Sequence, residues 1–280
     1  MDKPLKPTAC RQRLFKWGER TFIMGIVNLS PDSFSGDGLS TIDAAVEQAK
    51  RFVAEGADIV DVGGESTRPN SQPITIAEEI ERVVPAIARL SRELSVPISV
   101  DSYKYKVVNE AIHAGAHIIN DVWGLKQEPR LAGLAAEHNL PIILTSNQRD
   151  NPCKDDIITG ILADLRHSIG LCKDAGVAEE NIIIDPGIGF GKTVEQNLEI
   201  IHRLAELRVL GKPILLGTSR KSFIGLTLDL PAGERLEGTA ATSVIGIANG
   251  ADMIRVHDVK YISRVAKMSD AVVRRKNHER

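Results

Sequence analysis

Short aliphatic runs and longer amphipathic stretches alternate along the chain with few exceptions. The runs at 22–28, 58–62, 98–101, 118–120, 141–144, 182–185, 214–216 and 253–256 are rich in Ile, Val and Leu, as strands buried on both faces require. After them, apolar positions recur at helical spacing near 42–55, 76–94, 104–114, 130–138, 156–175, 194–208, 235–249 and 259–274. Thr75, Asp101-Ser102, Asp155 and Thr193 stand where helix N-caps are expected. Gly56, Gly115, Gly176 and Gly250 each close a helical stretch and precede a strand, the place for a left-handed C-cap. Eight strands, each followed by a helix, predict a single-domain α/β fold, the (β/α)8 TIM barrel. An open doubly wound sheet usually stops at about five or six strands and fits this count less well.

The polar residues within this pattern are not scattered. Strand after strand ends in a side chain that strands disfavour: Asn28, Asp61, Asp101, Asn120-Asp121, Asp185 and Arg255 with His257. One such residue could merely end a strand and cap the next helix. Six converge, because the C-terminal ends of barrel strands meet on the face that carries active sites.

Length and composition narrow the picture further. The 280 residues, with 42 % hydrophobic and 26 % charged side chains, suit one barrel with a large core. A net charge of −2 argues against a general nucleic-acid binder. Cys10, Cys153 and Cys172 are too few and too far apart for a disulfide framework or a structural zinc site. With no apolar run near the ~18 residues of a membrane span and no secretory h-region, a cytoplasmic location is expected. Residues 1–20 form an N-terminal extension, with a short hairpin near Leu14-Phe15-Lys16-Trp17-Gly18 as one reading. The barrel is expected over 21–274 and a basic tail over 275–280.

The loops after the strands carry the candidate chemistry. Asn28-Leu29-Ser30-Pro31-Asp32-Ser33-Phe34-Ser35-Gly36-Asp37-Gly38 is long and rich in hydroxyls, acids and glycine, as a loop over the mouth would be. Gly63-Gly64-Glu65-Ser66-Thr67-Arg68 combines backbone freedom with a hydroxyl and a guanidinium, which suits either an anion or a tight turn. Arg255 and His257 share one face of their strand, and Thr218-Ser219-Arg220-Lys221-Ser222 lies one strand earlier. Phosphate sites near the last two strands recur in this fold, so a phosphorylated ligand is expected. Asp101, Asn120 and Asp185 supply the paired acceptors that an N–C(NH2)–N edge of a heterocycle needs. A nucleotide P-loop is excluded at Gly187-Ile188-Gly189-Phe190-Gly191-Lys192-Thr193, because Pro186 stands where the pattern needs glycine.

These segments together resemble the dihydropteroate synthase family, pterin-binding (β/α)8 enzymes, from about residue 21 to 273. The resemblance rests on Gly25-Ile26-Val27-Asn28-Leu29-Ser30-Pro31-Asp32-Ser33-Phe34-Ser35, Gly64-Glu65-Ser66-Thr67-Arg68-Pro69, Ser99-Val100-Asp101-Ser102 and Ile119-Asn120-Asp121. It continues in Asp185-Pro186-Gly187-Ile188-Gly189-Phe190-Gly191-Lys192, Ser219-Arg220-Lys221-Ser222, Gly238-Thr239-Ala240-Ala241 and Arg255-Val256-His257.

The resemblance implies condensation of (7,8-dihydropterin-6-yl)methyl diphosphate with 4-aminobenzoate, giving 7,8-dihydropteroate and diphosphate. It implies that Asn28 helps to hold Mg2+ and that Thr67, Arg255 and His257 contact the diphosphate. Asp101, Asn120, Asp185 and Lys221 would bind the pterin; Arg68, Phe190, Lys221 and Ser222 would shape the aminobenzoate site. Catalysis would rest on Asp101, Asp185, Lys221, Arg255 and His257, and the late helices would form a homodimer. The main departure from the family pattern is Leu144-Thr145-Ser146-Asn147-Gln148, where a Met-His-Met type is usual; Ser35-Gly36-Asp37-Gly38 and Asn70 after Pro69 are smaller loop changes. A catalytically silent pterin-binding paralogue and a pterin-dependent methyltransferase are therefore the alternatives. The phosphate-suited Thr67-Arg68, Lys221 and Arg255-Val256-His257 argue against the methyltransferase.

Overall fold

The computed structural model describes residues 5–29, 39, 41–66, 72–153 and 155–274. It opens with an antiparallel hairpin, β1 (Thr8–Cys10) and β2 (Arg13–Phe15), in which Thr8 pairs with Phe15. There follow β3 (Phe22–Asn28), α1 (Ile42–Ala54), β4 (Ile59–Gly63), α2 (Ile76–Glu93), β5 (Ile98–Asp101) and α3 (Tyr105–Ala114). The middle comprises β6 (Ile118–Asp121), α4 (Leu131–Glu137), β7 (Ile142–Thr145), α5 (Ile157–Asp174), β8 (Ile182–Asp185) and α6 (Val194–His202). The last elements are β9 (Leu215–Leu216), α7 (Ser222–Leu228), α8 (Leu236–Ala248), β10 (Met253–Val256) and α9 (Val259–Val273).

The strands from β3 to β10 form one parallel sheet in the order β8-β7-β6-β5-β4-β3-β10-β9. A parallel bridge between Ile184 and Ile214 joins its two ends, so the sheet closes on itself as a TIM barrel. Where the helices meet expected caps, the geometry is regular. Thr75 and Thr193 form capping boxes with Glu78 and Gln196. Gly56, Gly115, Gly176 and Gly250 all take positive φ.

Several details differ from the sequence pattern, the added helix α7 among them. The stretch 194–208 is not one helix: α6 ends at His202 and a 3-10 turn, Leu204–Leu210, follows. Asp101-Ser102 does not cap α3, whose N-cap is Lys104; the Asp101 carboxylate is engaged by Arg255 instead. Asp156, rather than Asp155, caps α5 by accepting from Thr159 N.

The barrel interior is layered. Alternate residues of a strand face the same side, and along several strands that face turns from apolar to polar going upward. Ile59 is followed at i+2 by Asp61, Ile118 by Asn120, Ile183 by Asp185 and Met253 by Arg255. The lower members, with Met24, Ile143 and Leu215, form one buried cluster with Cys10, Phe15, Trp17 and Phe22. Phe15 stacks on Trp17 at 5.6 Å between centroids, Phe22 meets both edge-on, and Trp17 Nε1 donates to Thr8 Oγ1. The hairpin thus packs against the lower interior layer, and the polar layer faces the other end.

Candidate active site

The centre of the polar layer is a guanidinium held by two carboxylates. Arg255, near the end of β10, donates from Nε to Asp61 Oδ2 at 2.6 Å and from Nη2 to Asp101 Oδ2 at 2.5 Å. Asp61 Oδ2 also lies 2.6 Å from Arg255 Nη2 and accepts from Asn120 Nδ2 at 3.1 Å. The strand register sets two levels. Asp61 of β4 is level with Ser99 of β5, whereas Asp101 is level with Gly63 on one side and Asn120 on the other. Asp61 is 0 % exposed. Asp101 lies one step nearer the opening, where glycine at position 63 puts no side chain beside it.

Burial of these charges shifts their protonation. Desolvation raises the Asp101 carboxyl to about 7, against the pull of Arg255. Desolvation opposes the charge on Arg255, yet Asp61 and Asp101 more than offset it and hold the guanidinium above its usual value. Asp101 Oδ1 is buried and accepts no hydrogen bond among the described residues. Buried acceptors are nearly always satisfied; Asp61 Oδ1 is left without a donor in the same way, and Asp101, one step nearer the opening, is the one that stands closer to a ligand.

Asp185, at the end of β8, is likewise raised by burial, with Lys221 the main opposing charge. Its Oδ1 accepts from Gly187 N at 2.7 Å, which fixes the start of the glycine-rich loop. Lys221, at the N-cap of α7, donates to Ile188 O and sits 4.8 Å from the Phe190 ring centroid. Desolvation lowers this ammonium to about 8, with Asp185 opposing. Arg149 approaches the Phe190 ring as well, at 4.7 Å. His257 is fixed by Ser219, whose Oγ lies 2.9 Å from Nδ1 and accepts from the His257 backbone N. Ser222 opens α7 and is exposed, and Asn28 is half-buried at the end of β3. Thr67, Arg68 and most of the first long loop, 30–38, lie outside the described residues.

The departing segment 144–148 has a definite place. Thr145, Ser146, Asn147 and Gln148 are all buried. Ser146 N donates to Asp185 O, Gln148 N to Phe190 O, and Asn147 Nδ2 to Val122 O. Ser146 Oγ bonds Asp164, which is also paired with Lys126. Lys192, of the motif that mimics a P-loop, donates to Ser146 O and Phe190 O. Gly187 and Gly191 pass so close to this segment that a Cβ on either would overlap backbone atoms of Ser146 or Gln148. The segment is a frame for the glycine-rich loop that carries Asp185 and Phe190.

Asp61 stands among the polar strand ends that converge on the mouth, but the sequence assigns no role to it, nor to Ser219, Arg149 or Lys192. A signal for Asp61 was present: Ile59-x-Asp61 repeats the apolar-x-polar step of Ile118-x-Asn120, Ile183-x-Asp185 and Met253-x-Arg255. Asp121, one residue out of step with Asn120, goes elsewhere. Its carboxylate caps the following turn through Trp123 N and Leu125 N, and burial lifts it to about 6.

Residues 24–257 match the family model of pterin binding enzymes. The chain is also 55 % identical over 263 residues to the dihydropteroate synthase of Clostridium beijerinckii, covering 93 % of this chain and 97 % of that protein. The chain belongs to the dihydropteroate synthase family. Solved structures of the family superpose closely. That of the Clostridium difficile dihydropteroate synthase, determined in the presence of pteroic acid, shares 46 % identity with a TM-score of 0.89, covering 93 % of this chain and 100 % of that one. The Xanthomonas albilineans dihydropteroate synthase with 4-aminobenzoic acid shares 37 % identity and a TM-score of 0.89, covering 96 % and 98 %. The activity is accordingly that of a dihydropteroate synthase, a transferase of folate biosynthesis, in preference to a methyltransferase or a silent paralogue.

Proposed function

We propose that the barrel mouth divides the condensation between an acidic wall for the pterin and a basic wall for the diphosphate. The observation that carries this reading is the Arg255 guanidinium, shared by Asp61 and Asp101, beside a buried Asp101 oxygen that lacks a donor. Asp101, Asn120 and Asp185 accept from the amino and ring N–H groups of the pterin, and Lys221 donates to its acceptor edge. Their carboxylates favour the positive charge that spreads over the dihydropterin as the methylene–oxygen bond to diphosphate breaks. Arg255, His257 and Thr67 take up the negative charge on the leaving diphosphate. The aminobenzoate nitrogen then forms the new C–N bond and gives its proton to solvent or to the released diphosphate. Arg68, Phe190, Lys221 and Ser222 hold the aminobenzoate against the pterin. An arylamine is nucleophilic without activation, so no covalent enzyme intermediate is required.

Asn28 offers one neutral amide oxygen at the mouth. That hard donor fits Mg2+, which commonly takes most of its ligands from substrate phosphates and water. When bound, the ion supplies charge neutralisation on the diphosphate. We also assign this chain a homodimeric state through its late helices. Leu226 of α7, Val244 and Ile245 of α8, and Met268 and Val272 of α9 are apolar and exposed, as an interface between copies would require. A cytoplasmic location agrees with its three cysteines being thiols.

The test is a direct assay of diphosphate release from the pterin diphosphate and 4-aminobenzoate with Mg2+, beside sedimentation of the same preparation. Turnover that fails when EDTA is added, while a pterin lacking the diphosphate still binds, supports the assignments. Pterin binding without any turnover in Mg2+ refutes the division of roles.

A further inference from the structure

The Asp61 carboxylate does not occupy the level at which Asp101 and Asn120 stand, and it is closed off from the opening. It nevertheless holds two of the side chains assigned above: Arg255 through Nε and Nη2, and Asn120 through Nδ2. Asp101 has a weaker hold on Arg255, through Nη2 alone, and each of the two carboxylates keeps one buried oxygen, Oδ1, without a donor among the described residues. A guanidinium in a low-dielectric interior needs a counter-charge at all times. If Asp101 were its sole carboxylate, each pterin that drew Asp101 away would strand the cation.

We propose that Asp61 is a positioning residue, the standing counter-ion of Arg255, whose presence leaves Asp101 able to exchange the guanidinium for the heterocycle. This rests on the pterin reading given above. Asp61 touches no substrate; it acts through Arg255 and Asn120. Its carboxylate fixes the guanidinium in the plane set by Nε and Nη2, and turns the Asn120 amide so that its oxygen is left to the ligand. Ser99, level with Asp61 on β5, has a buried hydroxyl without a partner among the described residues, and a hydroxyl offers no substitute charge.

Asp61→Asn keeps the size and removes the charge. Losing one partner of a buried, hydrogen-bonded ion pair costs on the order of tenfold to a thousandfold in function. The expected loss is of that order in kcat/KM for the pterin diphosphate, with the KM for 4-aminobenzoate within about twofold of wild type. The discriminating measurement is a double-mutant cycle with Arg255→Met. A counter-ion is not needed without its cation, so Asp61→Asn should cost little in the Arg255→Met background. An equal loss in both backgrounds would mean a merely structural Asp61, and no loss in either would mean no role. Asp61→Glu, which keeps the charge but displaces it, serves the same cycle if Asp61→Asn does not fold, with an intermediate loss expected only when Arg255 is present. Direct titration of the wild-type chain with the pterin diphosphate separates the two layers of argument. Wild-type binding and turnover with a null cycle overturn the role of Asp61 alone, whereas absent wild-type binding overturns the pterin reading and this inference together.

Discussion

Replacing Arg255 with methionine preserves much of the side-chain volume and deletes the one cation between Asp61 and Asp101. The wild-type arrangement puts guanidinium nitrogens 2.5–2.6 Å from both carboxylates. With Asp61 fully buried and the Asp101 side chain only 10 % exposed, water cannot replace that partner cheaply. Removing one side of a buried ion pair costs about 3–5 kcal/mol. For a barrel of this size that is a fall in melting temperature of about 10 °C. The loss has a direction in pH. Burial already holds the Asp101 carboxyl high while Arg255 pulls it down, so the variant raises it further. A carboxyl with a raised folded-state value destabilises the fold above that value, and the penalty shrinks as pH falls through it towards the unfolded value of about 3.9. Urea unfolding followed by fluorescence at pH 8 and pH 5.5 should therefore show a larger gap between variant and wild type at pH 8. Diphosphate release should fall about a hundredfold or more, the usual cost of losing a transition-state donor. A stability loss under about 1 kcal/mol, or a gap that widens on acidification, would refute the account of the cluster.

Three further outcomes follow from other parts of the mouth and its frame. In Lys221→Met, Asp185 loses the main charge that opposes its burial. The pH below which pterin diphosphate affinity is lost should move upward, and an unchanged acid limb would show that Asp185 is not read by the ligand as an anion. Gly187→Ala brings a Cβ within 2.1 Å of Ser146 O at a φ of +72°, so the glycine-rich loop must shift; turnover and melting temperature should both drop, and wild-type kinetics would contradict the framing role of 144–148. Thr75→Ala removes a capping box far from the reacting groups and should cost about 1 kcal/mol of stability with kcat unchanged.

The barrel was readable because parallel strands buried on both faces leave short aliphatic runs, and because glycine marks the left-handed ends at 56, 115, 176 and 250. The hidden parts have specific causes. Helix α7, Ser222–Leu228, is seven residues long, too short to display a helical period. The break after His202 carries no proline or glycine until Gly211, so nothing local separates α6 from the 3-10 turn. Within the site, Asp101, Asn120, Asp185, Lys221 and Arg255 were visible as polar residues at strand ends or in the following loop. Asp61 belongs to the same inward row and was visible as a polar strand end, but nothing local shows that it holds Arg255 and Asn120. Thr145 to Gln148 looked like a loss of ligand contacts; their hydrogen bonds reveal a frame, and no local pattern announces which backbone carbonyls another loop will use.

The aromatic hairpin beneath the barrel bears on traffic as well as on stability. With Phe15, Trp17 and Phe22 packed under Met24, Ile59, Ile118 and Ile183, the barrel is closed beneath the polar layer among the described residues. On the proposed reading, a pterin at the depth of Asp101 and Asp185 must arrive before an aminobenzoate held at Phe190 and Ser222, and the two leave as one molecule. On that reading the diphosphate, on the side of Arg255 and His257, leaves through the same opening. A closed underside thereby gives the reaction its queue, and an inhibitor seated at the rim would trap the molecule below it.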